Sequence, residues 1–388
     1  LIFFDFCHQR TWNKMFWPMF WLLCMRFQLF VAYSELADLA VQLGAICSPA
    51  VIFVLSFGSL LFLCYTAPCV KKCPEETNMV VVWSVLILLI FILAASYVCC
   101  RLCFSVPKQT EADLFRLPDT EQYAPHREAM TQMVRTVLAL PYEDVWIRSD
   151  DGLRLHGKYY AGRPDAPVQI MMHGYKSGAE RDFCGGAQIA VQGGYHVLLV
   201  DQRAHGKSEG RCLTFGIQER YDCRAWVNYA VGRFGADTKI LLYGVSMGAA
   251  TVLMAGGLDL PRNVVGIVAD CGYSSPAAII RKVIRDQHLP IFPVYQLIRL
   301  GGKLFGGFDL ESATVTDALA HCQIPVLLIH GGDDRFVPCE MGRENYANCA
   351  ARNKRLLVVP GAGHGLSYMV DREAYLAALE SFLRSVLD

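Results

Sequence analysis

LLYGVSMGAA, residues 241 to 250, runs from apolar residues through a serine spaced between Gly244 and Gly248 into a tail of small side chains. With Lys239 and Ile240 before it, the segment reads as a buried strand, a sharp turn at Ser246 and the start of a closely packed helix. A serine held at such a turn sits in strained backbone, and side chains two residues either side would collide unless they were nearly absent. The Gly-x-Ser-x-Gly spacing supplies that absence. Ser246 is therefore a candidate nucleophile, and the competing reading is a plain structural turn.

The surroundings favour the first reading. From Tyr142 onward, short β-rich runs alternate with longer segments of helical character: EDVWIRS, LRLHGKYY, VQIMMHG, YHVLLVD, KILLYGVS, VVGIVAD, PVLLIHG and RLLVVPG. Several are continuously apolar, as expected of strands covered on both faces by helices in a mostly parallel sheet. The expected fold is a doubly wound α/β domain over residues 141–388 with an eight-stranded sheet. Sites in such sheets form at the carboxyl ends of the strands. There the chain places His173, Asp201, Ser246, Asp270, Asp333, Asp334 and His364.

Two of the acids are adjacent. In HGGDDRFVP, residues 330–338, the spacing HGxxDxxVP selects Asp334 as the functional acid and leaves Asp333 as a solvated neighbour, with Asp270 as a rival position. His364 lies in GAGHGLSY after the last strand, on a glycine-flanked loop able to reach the serine. The chain order Ser246, Asp334, His364 is that of a nucleophile, an orienting acid and a base. In HGYKSGAERD, residues 173–182, His173 is expected to brace its loop. In DQRAHGKSEG, residues 201–210, GKS resembles the end of a phosphate loop, but Asp201 stands where that motif requires glycine, so nucleotide binding is rejected. Asp201 and His205 suit a loop-bracing hydrogen-bond set.

Residues 1–105 differ in character. Two runs there carry no charge, Leu39 to Val70 and Thr77 to Cys100, and each exceeds the roughly 20 residues that a helix needs to cross about 30 Å of hydrocarbon. Spans are expected at about 39–65 and 79–100. Lys14 to Arg26 encloses a shorter, interfacial or signal-like segment. The first residue is Leu, so the true start is expected upstream. If both runs span, the flanking Arg10, Lys14, Arg26, Arg101 and Lys108 outweigh Lys71 and Lys72, which favours a cytoplasmic C-terminal domain; if only the second spans, the two sides nearly tie. Residues 106–140 read as a linker and a short amphipathic helix.

Composition narrows the classes. The chain of 388 residues is 53% hydrophobic and 19% charged, with 36 Lys and Arg against 36 Asp and Glu. Zero net charge argues against a nucleic-acid binder. Seven of the sixteen cysteines, an odd number, are scattered through the large domain, which reads as free thiols in a reducing compartment. Cys100 with Cys103, and Cys69 with Cys73, lack the second pair or histidine of a zinc site, so no metal is expected.

Taken together, HGYKSGAERDF, DQRAHGKSEG, GVSMGAA, HGGDDRFVP and GAGHG resemble the α/β-hydrolase superfamily. Within it they are similar to bacterial serine-aminopeptidase-like or lysophospholipase-like hydrolases, which often carry an N-terminal membrane segment. The resemblance covers residues 141–388. It implies Ser246 as nucleophile, His364 as base, Asp334 as its orienter and the backbone N–H groups of Tyr175 and Met247 as the oxyanion hole, with no cofactor. A helical lid is expected at about 274–323, where five basic residues between Ser274 and Lys303 face only Asp286. The readings that follow are a membrane-anchored acyl-ester hydrolase taking an apolar or lipid-like ester, a serine aminopeptidase, or a membrane-tethered non-catalytic module. Oligomeric state is not legible.

Overall fold

The computed structural model describes residues 53–57, 60–64 and 74–388. The chain divides into two compact units, one ending at Ile90 and the other running from Phe91 to Asp388. In the first, strands β1 (Phe53–Phe57) and β2 (Leu60–Cys64) pair antiparallel, Phe53 opposite Cys64 and Phe57 opposite Leu60. This corrects the expectation of a spanning helix over about 39–65. FVLSF and LLFLC are aromatic and aliphatic runs separated by Gly-Ser, a hairpin pattern as much as a helical one. The rest of that run, and the segment between Lys14 and Arg26, lie outside the described residues.

Helix α1 (Pro74–Phe104) contains the second charge-free run. Among the described residues it is the one helix long and apolar enough to cross a membrane, over Val81–Phe104. Its Val, Leu and Ile residues leave no proline to break it, and Arg101 falls in its last turn.

The second unit holds an eight-stranded sheet in the order β10-β9-β8-β7-β5-β6-β4-β3. Its strands are β3 (Glu143–Arg148), β4 (Arg154–Tyr160), β5 (Val168–Met172), β6 (His196–Val200), β7 (Ile240–Val245), β8 (Val264–Asp270), β9 (Val326–Gly331) and β10 (Lys354–Val359). The six from β5 to β10 run parallel, and β4 and β3 close one edge antiparallel. Each expected strand is present. β5, β6 and β9 are buried along their whole length, which is why their sequences do not alternate. The chain steps outward from β5 to β6, then returns to place β7 on the other side of β5. The carboxyl ends of β5 and β7 thus become neighbours, with Met172 opposite Gly244.

Segment 106–140 is more than a linker. Helix α2 (Arg127–Leu138) buries Met130, Val134 and Val137, a stripe at helical spacing. With Cys184 and Leu366, the first two of these form a small core beside the last loops of the sheet.

Candidate active site

Ser246 stands between β7 and helix α3 (Met247–Ala255) with φ 56° and ψ −114°. A non-glycine residue in that region is held there only by its surroundings. The close fit is visible at its neighbours: a Cβ on Gly244 would lie 2.2 Å from the carbonyl oxygen of Gly248, and one on Gly248 would lie 1.8 Å from that of Met172. Small residues are therefore obligatory on both sides. Met247 opens α3, so its N–H is among those with no partner inside the helix, and the helix N-terminus faces the serine side of the turn.

The structure brings Ser246, His364 and Asp334 into one hydrogen-bonded chain. Ser246 Oγ is 2.9 Å from His364 Nε2, and His364 Nδ1 is 2.7 Å from Asp334 Oδ2. With the carboxylate accepting from Nδ1, Nε2 is left to accept the serine proton. The second oxygen of Asp334 accepts from the N–H groups of Phe336 and Val337 at 2.9 and 2.8 Å. Those bonds fix the carboxylate's orientation. Asp333, by contrast, is exposed. Asp270 is buried at the end of β8, where Ser367 Oγ donates to its carboxylate at 3.5 Å. Burial raises its pKa to about 7.

Tyr175 lies on the loop after β5, beside the serine: a Cβ on Gly174 would come within 3.4 Å of Ser246 Cβ. This loop is heavily braced. Gly174 N donates to Asp182 Oδ2 at 2.6 Å, and Lys176 N donates to His205 Nε2 at 3.1 Å. Burial takes His205 down to about 3, so it stays a neutral acceptor. His173 accepts from Gln202 N at 3.2 Å through Nε2 and bonds the carbonyl of Gly174 through Nδ1 at 2.8 Å. Asp201 is spent on His156 and on the N–H of Lys207.

Two contacts had no signal in the sequence. The hydroxyl of Tyr123 donates to the carbonyl of His364 at 2.7 Å, and Gln122 Nε2 donates to that of Asp333 at 3.0 Å. Segment 106–140 thus holds both the histidine loop and the acid loop. Cys271, at φ 50°, places its sulfur 4.0 Å from His364 Nε2. Among the described residues Cys271, Asp334 and His364 form the one set whose ligating atoms all lie within 4.8 Å of each other. It shares Asp334 and His364 with the serine-histidine-acid chain. A cavity of about 110 Å³ lies against the central strands β5, β7 and β8, lined by Met171, Phe183, Tyr243, Val268, Asp270 and Tyr375 among others. Its lining includes Val245 and Gly365, the chain neighbours of Ser246 and His364, but neither of those two residues themselves.

Helices α4 (Pro276–Asp286) and α5 (Ile291–Gly301) follow β8 where a lid was expected. Ile279, Ile280 and Ile284 of α4 are buried. Arg281 pairs with Glu311 at 2.7 Å, and Arg299 and Lys303 pair with Asp309 at 2.7 and 2.8 Å. The basic residues of this segment are therefore largely neutralised by acids further along it.

Residues 170–379 match the family model described as the alpha/beta hydrolase family. An uncharacterised protein of Mycobacterium tuberculosis is 30% identical over 62% of this chain and 78% of its own. The alpha/beta hydrolase domain-containing protein WAV2 of Arabidopsis thaliana is 27% identical over 63% of this chain and 80% of its own. Among solved structures, an esterase of Pyrococcus furiosus aligns with a TM-score of 0.55 at 23% identity, covering 73% of this chain and 98% of that one.

Proposed function

The chain belongs to the alpha/beta hydrolase family, and from that premise we propose that it is a membrane-anchored serine hydrolase cleaving carboxylic acyl esters through an acyl-enzyme. The carrying observation is the Ser246–His364–Asp334 chain at 2.9 and 2.7 Å. His364 Nε2 takes the proton of Ser246 as Oγ attacks the ester carbonyl. The negative charge that forms on the carbonyl oxygen is received by the N–H groups of Tyr175 and Met247. As the tetrahedral adduct collapses, the protonated His364 gives its proton to the leaving alcohol. Water then attacks the acyl-enzyme, His364 acting first as base and then as acid to return Ser246. Asp334 holds the imidazole in the required tautomer and stabilises its charged form. No cofactor enters any step.

Membrane anchoring is supported by Val81–Phe104, whose length and composition suffice for a span. A cytoplasmic catalytic domain is supported by its cysteines, which are free thiols among the described residues. An apolar or lipid-like substrate is supported by the lid, where Phe292 is 74% and Leu304 54% exposed; such side chains are candidates for contact with acyl chains. The aminopeptidase reading needs a free lid carboxylate to grip a substrate ammonium, whereas Asp309 and Glu311 are engaged by Arg299, Lys303 and Arg281. The non-catalytic reading needs a missing member of the triad, and each is present.

The test is a substrate profile on the full chain in detergent micelles. Hydrolysis of p-nitrophenyl esters of increasing chain length, with aminoacyl anilides left intact, is the expected result. Turnover of the anilides alone overturns the ester reading.

A further inference from the structure

The last carbonyls of an α-helix have no partner within the helix. In α1 three of them are taken by the catalytic unit to which this end of the helix belongs. Leu102 O accepts from Lys176 Nζ at 2.8 Å, Cys103 O from the Tyr175 hydroxyl at 2.7 Å, and Phe104 O from Leu213 N at 2.9 Å. Two of the three donors are consecutive residues of the loop that lies against Ser246.

The attachment is reinforced from both sides. Just past the helix, Gln109 Nε2 donates to the carbonyl of Lys176 at 3.0 Å. The Tyr175 ring meets that of Phe215 at 5.2 Å, and Phe215 meets the fully buried Phe104 edge-on at 6.0 Å. Lys176 itself holds φ 47°, a conformation that a lysine keeps only where the surroundings impose it. Its ammonium is buried at a helix C-terminus, where the helix dipole favours a cation. Burial lowers its pKa to about 8, so it remains largely charged at neutral pH.

We propose that the carboxyl end of α1 is a working part of the oxyanion hole, with Tyr175 and Lys176 as positioning residues whose side chains fasten the donor loop to that helix. The proposal rests on the reading of Ser246 as nucleophile and of the Tyr175 N–H as oxyanion donor. Cutting either tie leaves buried polar groups without partners and lets the loop move. A donor that shifts by a fraction of an ångström weakens the hold on the transition-state oxyanion more than the hold on the ground-state ester.

The test compares wild type, Tyr175→Phe and Lys176→Met as full chains in detergent micelles. Active sites are counted with a fluorophosphonate, so that only folded, reactive protein enters the rate. The expected result for each variant is a kcat about tenfold lower, less than the 10²–10³ lost when a whole donor is removed, with KM within about twofold. The inhibition constant of a trifluoromethyl ketone, whose adduct carries the same oxyanion, rises by the factor by which kcat/KM falls. Tyr175→Phe keeps the ring against Phe215 and decides the matter if Lys176→Met does not fold. Wild-type kcat per titrated site with a lowered melting temperature overturns the proposal and leaves the triad standing. A wild type that takes no fluorophosphonate overturns the triad, and the proposal with it.

Discussion

The hydroxyl of Tyr123 donates to the main-chain carbonyl of His364 at 2.7 Å, joining two residues 241 positions apart in the chain. The bond secures a glycine-flanked loop that would otherwise be free to move the imidazole. Tyr123→Phe keeps the ring and deletes the bond, leaving a carbonyl short of a partner at a cost of about 1–3 kcal/mol. Ester turnover per active site is expected to fall about fivefold to tenfold, with a melting temperature lower by a few degrees. Unchanged kcat means that the loop is fixed without Tyr123.

Asp334 and Asp270 are both buried acids near His364, and their environments separate them. Asp334 meets Nδ1 at 2.7 Å, whereas the Asp270 carboxylate is met by Ser367. Asp334→Asn, which favours the wrong imidazole tautomer, is expected to lower kcat by about 10³–10⁴. Asp270→Asn is expected to change it by less than about tenfold. A reversed ranking in steady-state assays moves the acid to the end of β8.

Gly248 has no room for a side chain, because a Cβ would lie 1.8 Å from the backbone oxygen of Met172. Backbone cannot give way there as a flexible side chain would. Gly248→Ala is expected to destabilise the fold by about 3 kcal/mol, read as a lowered urea midpoint together with lost turnover. A variant with the wild-type midpoint shows that the elbow is looser than described.

The pH dependence of stability carries a signature of Asp270, whose pKa burial raises to about 7. A raised carboxyl pKa means that the folded chain holds the proton more tightly than the unfolded chain does. The associated stability is intact below about pH 4, the ordinary carboxylate range. It is lost progressively as pH rises to about 7, and is flat above that. Asp270→Asn removes this dependence. From pH 5 to 7.5 the urea midpoint of the variant is expected to gain on that of wild type, then run parallel. A constant or shrinking difference contradicts the assignment.

The sheet was legible because strands covered on both faces are continuously apolar, as in VLLIHG and HVLLV. The serine, acid and histidine were legible because each follows such a strand and their order is restrictive. What escaped reading depends on contacts between distant parts of the chain. Tyr123, Cys271 and Lys176 look ordinary in their local sequence, and only folding brings them to His364 or to the end of α1. Segment 106–140 read as a linker and a short amphipathic helix, but where its Met130 and Val134 dock, against Cys184 and Leu366, is a contact between distant parts of the chain. FVLSF and LLFLC were misread for another reason: freedom from charge measures hydrophobicity, and a hairpin satisfies it as well as a helix.

The central claim is that Ser246 is the nucleophile, and covalent labelling tests it most directly. The full-length wild type, incubated with a fluorophosphonate probe beside Ser246→Ala, is predicted to become labelled on a peptide containing Ser246, while the variant stays unlabelled. No labelling of the wild type, or equal labelling of the two, contradicts the account.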